Sequence, residues 1–181
     1  MGSETGMTNM AKGTADITRG AASDTTSAFP FVRVVVVNWN QWRTTVGTLQ
    51  ALERIEYPRF EVVVVDNGSS DDSADRLAAW LASRPGMSLT RLPENRGFAG
   101  GVNAGILAGM ARAAETARAD YFWLLNNDAV PEPSALGHLV MALEQDSSAA
   151  AAGSLILYAD APSLVWAAGG DIVPWWGITR H

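Results

Sequence analysis

Two runs of four consecutive valines constrain this chain more than any other feature. They stand in FVRVVVV, Phe31 to Val37, and in FEVVVVD, Phe60 to Asp66. Side chains branched at Cβ are crowded in a helix and fit well on a pleated surface. An unbroken apolar run, as opposed to alternating apolar and polar residues, reads as a strand buried on both faces. Between the two runs lies Trp42 to Ile55, with Trp42, Val46, Leu49 and Leu52 at helical spacing and Pro58 just beyond its end.

The same alternation continues. Ala74, Leu77, Ala78 and Leu81 predict a second helix, with Asp72 placed as its N-cap and Asp75 three residues on. MSLTRL, Met87 to Leu92, is a weaker strand, and after a glycine-rich turn Val102, Ile106, Met110 and Ala113 mark a long helix. YFWLL, Tyr121 to Leu125, is a fourth strand. Pro133 and Ser134 open a helix whose Leu136, Leu139, Val140 and Leu143 face the core, and AAAGSLILY, Ala150 to Tyr158, reads as a fifth strand. Strands and helices in alternation, with the strands buried on both faces, predict an α/β fold with a mostly parallel sheet flanked by helices. At 181 residues, 48% of them hydrophobic, one domain with a substantial core is expected. Residues 1–28 are rich in Gly, Ser, Thr and Ala without apolar periodicity and read as a disordered leader, which leaves 29–181 as the domain.

In parallel sheets ligands bind beyond the carboxyl ends of the strands. The polar residues that close the strands, Asn38, Asp66 and Asn126-Asn127-Asp128, should therefore share one rim. Asp66 ends its strand before an Asn67-Gly68 turn, and a carboxylate there can accept N–H donors from a nucleobase edge. Asp71 or Asp72 reads as the cap of the next helix. Gly97, Gly100, Gly101 and Gly105 cluster at a strand-to-helix junction, where small residues allow a close approach and a helix start favours anions. Packing alone would explain Gly101 and Gly105; Asn95, Arg96 and Asn103 point to a loop near phosphate or sugar. Asp128 at a strand tip suits Mg2+ or Mn2+, which bind through one or two carboxylates and keep positions open for ligand phosphates. Asn126 and Asn127 are placed to bond a ribose hydroxyl or a bound water.

Other classes are narrowed by composition. The chain has no cysteine, so disulfides, thiolate nucleophiles and sulfur-bound zinc are excluded. Two histidines make a His-rich metal site a poor fit, and a net charge of −6 argues against nucleic-acid binding. Neither a secretion-signal core nor an apolar run of membrane-spanning length is present.

The blocks VVVVNWNQ, VVVVDNGSSDDS, ENRGFAGGVNAGI, FWLLNNDAVPEP and GSLILYADAPSLVWAAGG, in that order, resemble the family 2 glycosyltransferases, and within them a bacterial rhamnosyltransferase-like branch. The resemblance implies a Rossmann-like GT-A fold that binds a nucleotide-diphospho-sugar, of dTDP or UDP type, through Mg2+ or Mn2+. It implies inverting transfer of the sugar, rhamnose in that branch, to a glycan or lipid-linked acceptor in cell-wall or polysaccharide synthesis. Such a protein is cytoplasmic, with peripheral contact at the inner face of the membrane. Asn38 and Asn40 then line base and ribose, Asp66 reads the pyrimidine, and Asn95, Gly97 and Asn103 lie near base and diphosphate. Asn126-Asn127-Asp128 stands where the family has Asp-x-Asp, with Asp128 as the metal ligand. The family's catalytic base lies in an acidic motif further downstream, so it is expected beyond His181. Asp160 and Asp171 fit no family pattern for it, and Asp171 is retained as a minor candidate. The chain thus reads as a donor-binding half without its acceptor half, and a non-catalytic nucleotide-sugar-binding module is the alternative. Trp166, Trp175 and Trp176 suit either stacking on sugar rings or packing against that missing half, the second being favoured, and the apolar surface so left invites self-association.

Overall fold

The computed structural model describes residues 29–111, 118–173 and 178–180. The expected leader, Ala113, Trp175 and Trp176 lie outside the described residues. Four strands, β1 (Val32–Asn38), β2 (Phe60–Asp66), β3 (Met87–Arg91) and β4 (Tyr121–Leu125), form one parallel sheet in the order β3-β2-β1-β4. The valine runs pair with each other at its centre, Val34 beside Val62 through Val37 beside Val65.

Two faces of that pair are buried by different helices. Val34, Val36, Val62 and Val64 pack with Leu49 and Leu52 of α1 (Trp42–Leu52) and with Leu77 and Leu81 of α2 (Ser73–Leu81). Val32 on the same face meets Leu136 and Val140 of α4 (Ala135–Gln145). Each fully buried valine contributes about 1.5–3 kcal/mol over an exposed one. On the opposite face Val35, Val63 and Val65 lie under α3 (Gly97–Ala111).

Three expectations need correction. The helix α3 begins at Gly97, so the supposed glycine-rich turn is its first turn. Its buried face is Gly101, Val102, Gly105 and Gly109, with Ile106 partly buried against Val35, Val63 and Val65; Val102 is buried as expected, whereas Met110 is 55% exposed. The cause is steric: a Cβ on Gly105 would lie 2.4 Å from Val35 Cγ1, so the helix backbone itself sits on the valines. Second, Asp72 occupies the N-cap of α2 without capping it; its carboxylate pairs with Arg76, while Asp71 accepts the Ser73 N–H at 2.9 Å. Third, Ala150–Tyr158 does not join the sheet. Only β5 (Ile156–Leu157) is extended, and it pairs antiparallel with β6 (Val165–Ala167) across a local turn in which Tyr158 N–H donates to Leu164 O. A partner eight to eleven residues away captures this segment, and the alanines before it favour a strand little.

A second hairpin joins β7 (Asp171–Val173) to β8 (Ile178–Arg180). No described helix is long and apolar enough to cross a membrane. A buried Arg33 in β1 donates to the Gly109 carbonyl near the end of α3 and lies 3.6 Å from Glu61 on the next strand, tying that helix to the base of the sheet.

Candidate functional site

The strand order sets where the site lies. The chain winds outward from β1 to β2 and β3, then returns across α3 to place β4 on the other side of β1. The direction reverses between β1 and β4, and the crevice at their carboxyl ends is the expected ligand position. The helix α1 starts directly below it.

A chain of hydrogen bonds crosses this point. Asn127 Nδ2 donates to Thr45 Oγ1 at 3.2 Å, Thr45 Oγ1 donates to Asn38 Oδ1 at 2.8 Å, and Asn38 Nδ2 donates to Asp66 Oδ1 at 2.9 Å. Every donor in the chain points toward the Asp66 carboxylate, which can only accept; this also fixes which end of the Asn38 amide faces it. Asn38, Thr45 and Asp66 are buried, and a buried network whose members are all bonded is rigid. The tips of β1, β2 and β4 are thereby joined, as the strand-end reading requires.

The loop after β2 is pinned to the same network. Ser69 donates its hydroxyl to Asp66 Oδ1 at 2.6 Å and its N–H to Asp66 Oδ2 at 3.1 Å. Asn40 holds a positive φ of 54°, which asparagine tolerates, and from there it accepts the Ser70 N–H at 2.8 Å and donates its own N–H to Ser69 Oγ at 2.9 Å. Gly68 is required twice over: its φ is +68°, and a Cβ would lie 2.3 Å from the Glu94 carbonyl carbon. That close approach brings the loop after β3 alongside. There Asn67 Nδ2 donates to Asn95 Oδ1 and to Gly97 O, both at 3.0 Å, and Asn67 Oδ1 accepts the Arg96 N–H at 3.0 Å. Gly97, at φ +70°, donates its N–H to Asn95 Oδ1 at 2.8 Å, so these two expected site residues form one turn at the start of α3.

Not every expected residue joins. Asn103 lies exposed on α3, its side chain without a hydrogen bond among the described residues, and Asn126 is exposed with its carbonyl accepting the Ala129 N–H at 3.3 Å. Asp128, two residues after Asn126, is exposed, and its carboxylate has no partner among the described residues. Asp171 lies in the separate β7–β8 hairpin. Conversely, sequence reasoning passed over Thr45, Thr48 and Ser69, and read Asn67 only as part of a turn. A signal was present: Thr45 and Thr48 fall on the otherwise apolar buried side of α1, where a hydroxyl must find a partner.

The donor set can be tested against a cation. Among the described residues no group of three or more His, Cys, Asp or Glu side chains could hold a metal alone. Asp128 with the neighbouring amide oxygens offers only hard oxygen donors, which fits Mg2+ or Mn2+ completed by phosphates of a ligand. A cavity of about 310 Å³ lies at the opposite end of the strands, lined by Arg33, Met110, Arg118, Ala119, Asp120 and Phe122. Arg33 there already bonds Gly109 and Glu61, and Asp120 accepts the Phe31 N–H at 2.7 Å.

Solved structures share this architecture. A mannosyltransferase from Pyrobaculum calidifontis, in complex with GDP-Man and Mn2+, superposes with a TM-score of 0.56 at 26% identity, over 65% of this chain and 33% of that one. TarS 1-349 from S. aureus superposes with a TM-score of 0.51 at 19% identity over 64% of this chain and 32% of that one. Its complex with UDP-GlcNAc gives a TM-score of 0.50 at 18% identity, over 64% and 31%. The chain thus spans about a third of the length of these structures. No curated protein matches it. The model of one family, Glycosyl transferase family 2, matches residues 33–176, which include every strand of the sheet but the first residue of β1, and the chain belongs to that family.

Proposed function

We propose that this domain binds a nucleotide-diphospho-sugar donor at the β1–β4 crevice and serves inverting transfer of its sugar to a glycan or lipid-linked acceptor. The observation that carries the reading is the hydrogen-bonded path Asn127–Thr45–Asn38–Asp66, which sets the Asp128 turn and the Asp66 carboxylate on one rim. The similarity to a mannosyltransferase solved with GDP-Man and Mn2+ supports it. A cation held by Asp128 and the diphosphate would supply charge neutralisation on the leaving group. The start of α3 at Gly97 offers backbone N–H groups toward the same anion.

Asp66 reads the base. Its Oδ1 accepts from Asn38 and Ser69, whereas Oδ2 accepts only the Ser69 N–H. A carboxylate has about four acceptor positions, so one remains, on Oδ2. That suits the single N3–H of uracil or thymine and is too few for the paired N–H donors of guanine. A UDP or dTDP donor follows, with rhamnose and a role in cell-wall or polysaccharide synthesis as the branch-level reading. Asn38, buried with its amide engaged on both sides, acts through Asp66, and Asn40 through the Ser69–Ser70 loop. The acceptor-side base is left unassigned. Leu155, Ile156, Leu157, Val165 and Trp166 of the β5–β6 hairpin, all exposed, offer an apolar surface for self-association or membrane contact.

The test uses Asp66→Asn. Two donors face the Oδ1 position, so the amide oxygen takes that place and the NH2 group takes the Oδ2 position. UDP binding with Mn2+ is expected to fall at least about tenfold by calorimetry, with pyrophosphate binding unchanged; a tenfold loss is about 1.4 kcal/mol. Equal losses for both ligands would remove Asp66 from base recognition. Release of UDP from a UDP-sugar, with and without acceptor, separates a transferase from a module that only binds.

A further inference from the structure

We propose that Thr48 is a positioning residue that aims the Asp128 carboxylate at the cation; this rests on the reading of Asp128 as the metal-binding group. The sheet does not hold that tip. β4 pairs with β1 only as far as Val36 beside Leu125, and past Leu125 no ladder continues. The turn that follows closes with one bond of 3.3 Å from Ala129 N–H to Asn126 O. Asp128 itself is exposed and has no partner among the described residues, so its direction is inherited from its backbone.

That backbone is clamped from α1. Thr48 Oγ1 donates to the Asn127 carbonyl at 2.7 Å, and Thr45, one turn earlier on the same face, accepts from the Asn127 side chain at 3.2 Å. Both threonines are buried. A threonine inside a helix ordinarily bonds back to the carbonyl four residues earlier, and Gln41 O lies 3.2 Å from Thr45 Oγ1 as the longer alternative to its 2.8 Å bond to Asn38. The Thr48 hydroxyl instead reaches across 79 residues to Asn127. The Asn127 carbonyl belongs to the planar peptide unit that ends at the Asp128 Cα. Fixing that oxygen fixes the plane from which Asp128 projects. The clamp stands at the switch between β1 and β4, and through Thr45 and Asn38 it keeps the distance from Asp128 to the base-reading Asp66 constant.

The experiment compares the full chain with Thr48→Val, which keeps the shape and removes the donor, and Thr48→Ser, which keeps the donor. UDP is titrated by calorimetry with saturating Mn2+ and again with EDTA, and melting temperatures are recorded. Thr48→Val should lose about tenfold of the Mn2+-dependent affinity, as groups that orient a metal ligand do, with the EDTA arm unchanged and Thr48→Ser close to the unsubstituted chain. Wild-type affinity in Thr48→Val would overturn the clamp. Parallel losses in both arms would overturn it as well, by showing a general packing role. Absence of any Mn2+ effect in the unsubstituted chain would overturn the reading of Asp128 and the clamp together, and is visible before any variant is made.

Discussion

Replacing Asp128 with alanine is expected to abolish Mn2+-dependent binding of a nucleoside diphosphate while leaving the fold unchanged. The carboxylate is exposed and makes no bond among the described residues, so its removal costs no packing and no network. Exposed substitutions of that kind stay within about 0.5 kcal/mol of the parent in stability. Binding is another matter, because no other Asp, Glu or His beside it forms a metal-holding group among the described residues. Affinity for UDP with Mn2+ should fall at least about a hundredfold, beyond the ten- to hundredfold typical of residues that only orient a ligand. Calorimetry with and without the cation measures this directly. An Asp128→Ala chain that still gains affinity from Mn2+ would mean that the cation sits elsewhere.

The second large effect is on stability. Gly105→Val should lower it by about 3 kcal/mol, at the upper end of what overpacking usually costs. The Cβ alone would lie 2.4 Å from Val35 Cγ1 and 2.9 Å from Val65 Cγ2, and both valines are fixed in the central strands. Relief requires α3 to lift from the sheet, and its first turn carries Gly97 away from Asn95 and Asn67. UDP binding should therefore weaken along with the fold. Gly47 in α1 is the control. Nothing lies within 4 Å of the position its Cβ would take, so Gly47→Ala should stabilise by up to about 1 kcal/mol through helix propensity alone. Denaturant midpoints distinguish the two signs. Equal and small effects at both positions would show that α3 does not rest on the valines.

These glycines also show how much could be read in advance and why. Strands with strong local signals were legible: the valine runs and YFWLL fall within a residue of the observed β1, β2 and β4, because continuous β-branched or aromatic runs bounded by Asn, Asp and Gly admit little else. The face of α3 was legible in part: Val102 and the packing of Gly101 and Gly105 were expected, whereas Met110 is exposed and Gly109 was not singled out. Periodicity arguments count apolar side chains, and here the contact is made by their absence, at Gly101, Gly105 and Gly109. The fifth strand failed for another reason: sheet membership is decided by which partner is near in space, and Val165–Ala167 was nearer than β4. At the strand ends, chain position alone singled out Asn38, Asp66 and Asn127, which hydrogen bonds link through Thr45. Thr45, Thr48 and Ser69 were missed because a hydroxyl in a helix or a turn has an ordinary local use, and only tertiary placement shows the longer reach.

The central claim is that one rim, with Asp66 at one end and Asp128 at the other, holds a nucleoside diphosphate through a divalent cation. Crystals of the chain grown with UDP and Mn2+, measured for the anomalous signal of manganese, test it most directly. The account predicts a single strong peak between the Asp128 carboxylate and the diphosphate, with the uracil N3–H on Asp66 Oδ2. A manganese peak at the amino-terminal end of the strands, beside Arg118 and Asp120, would contradict it.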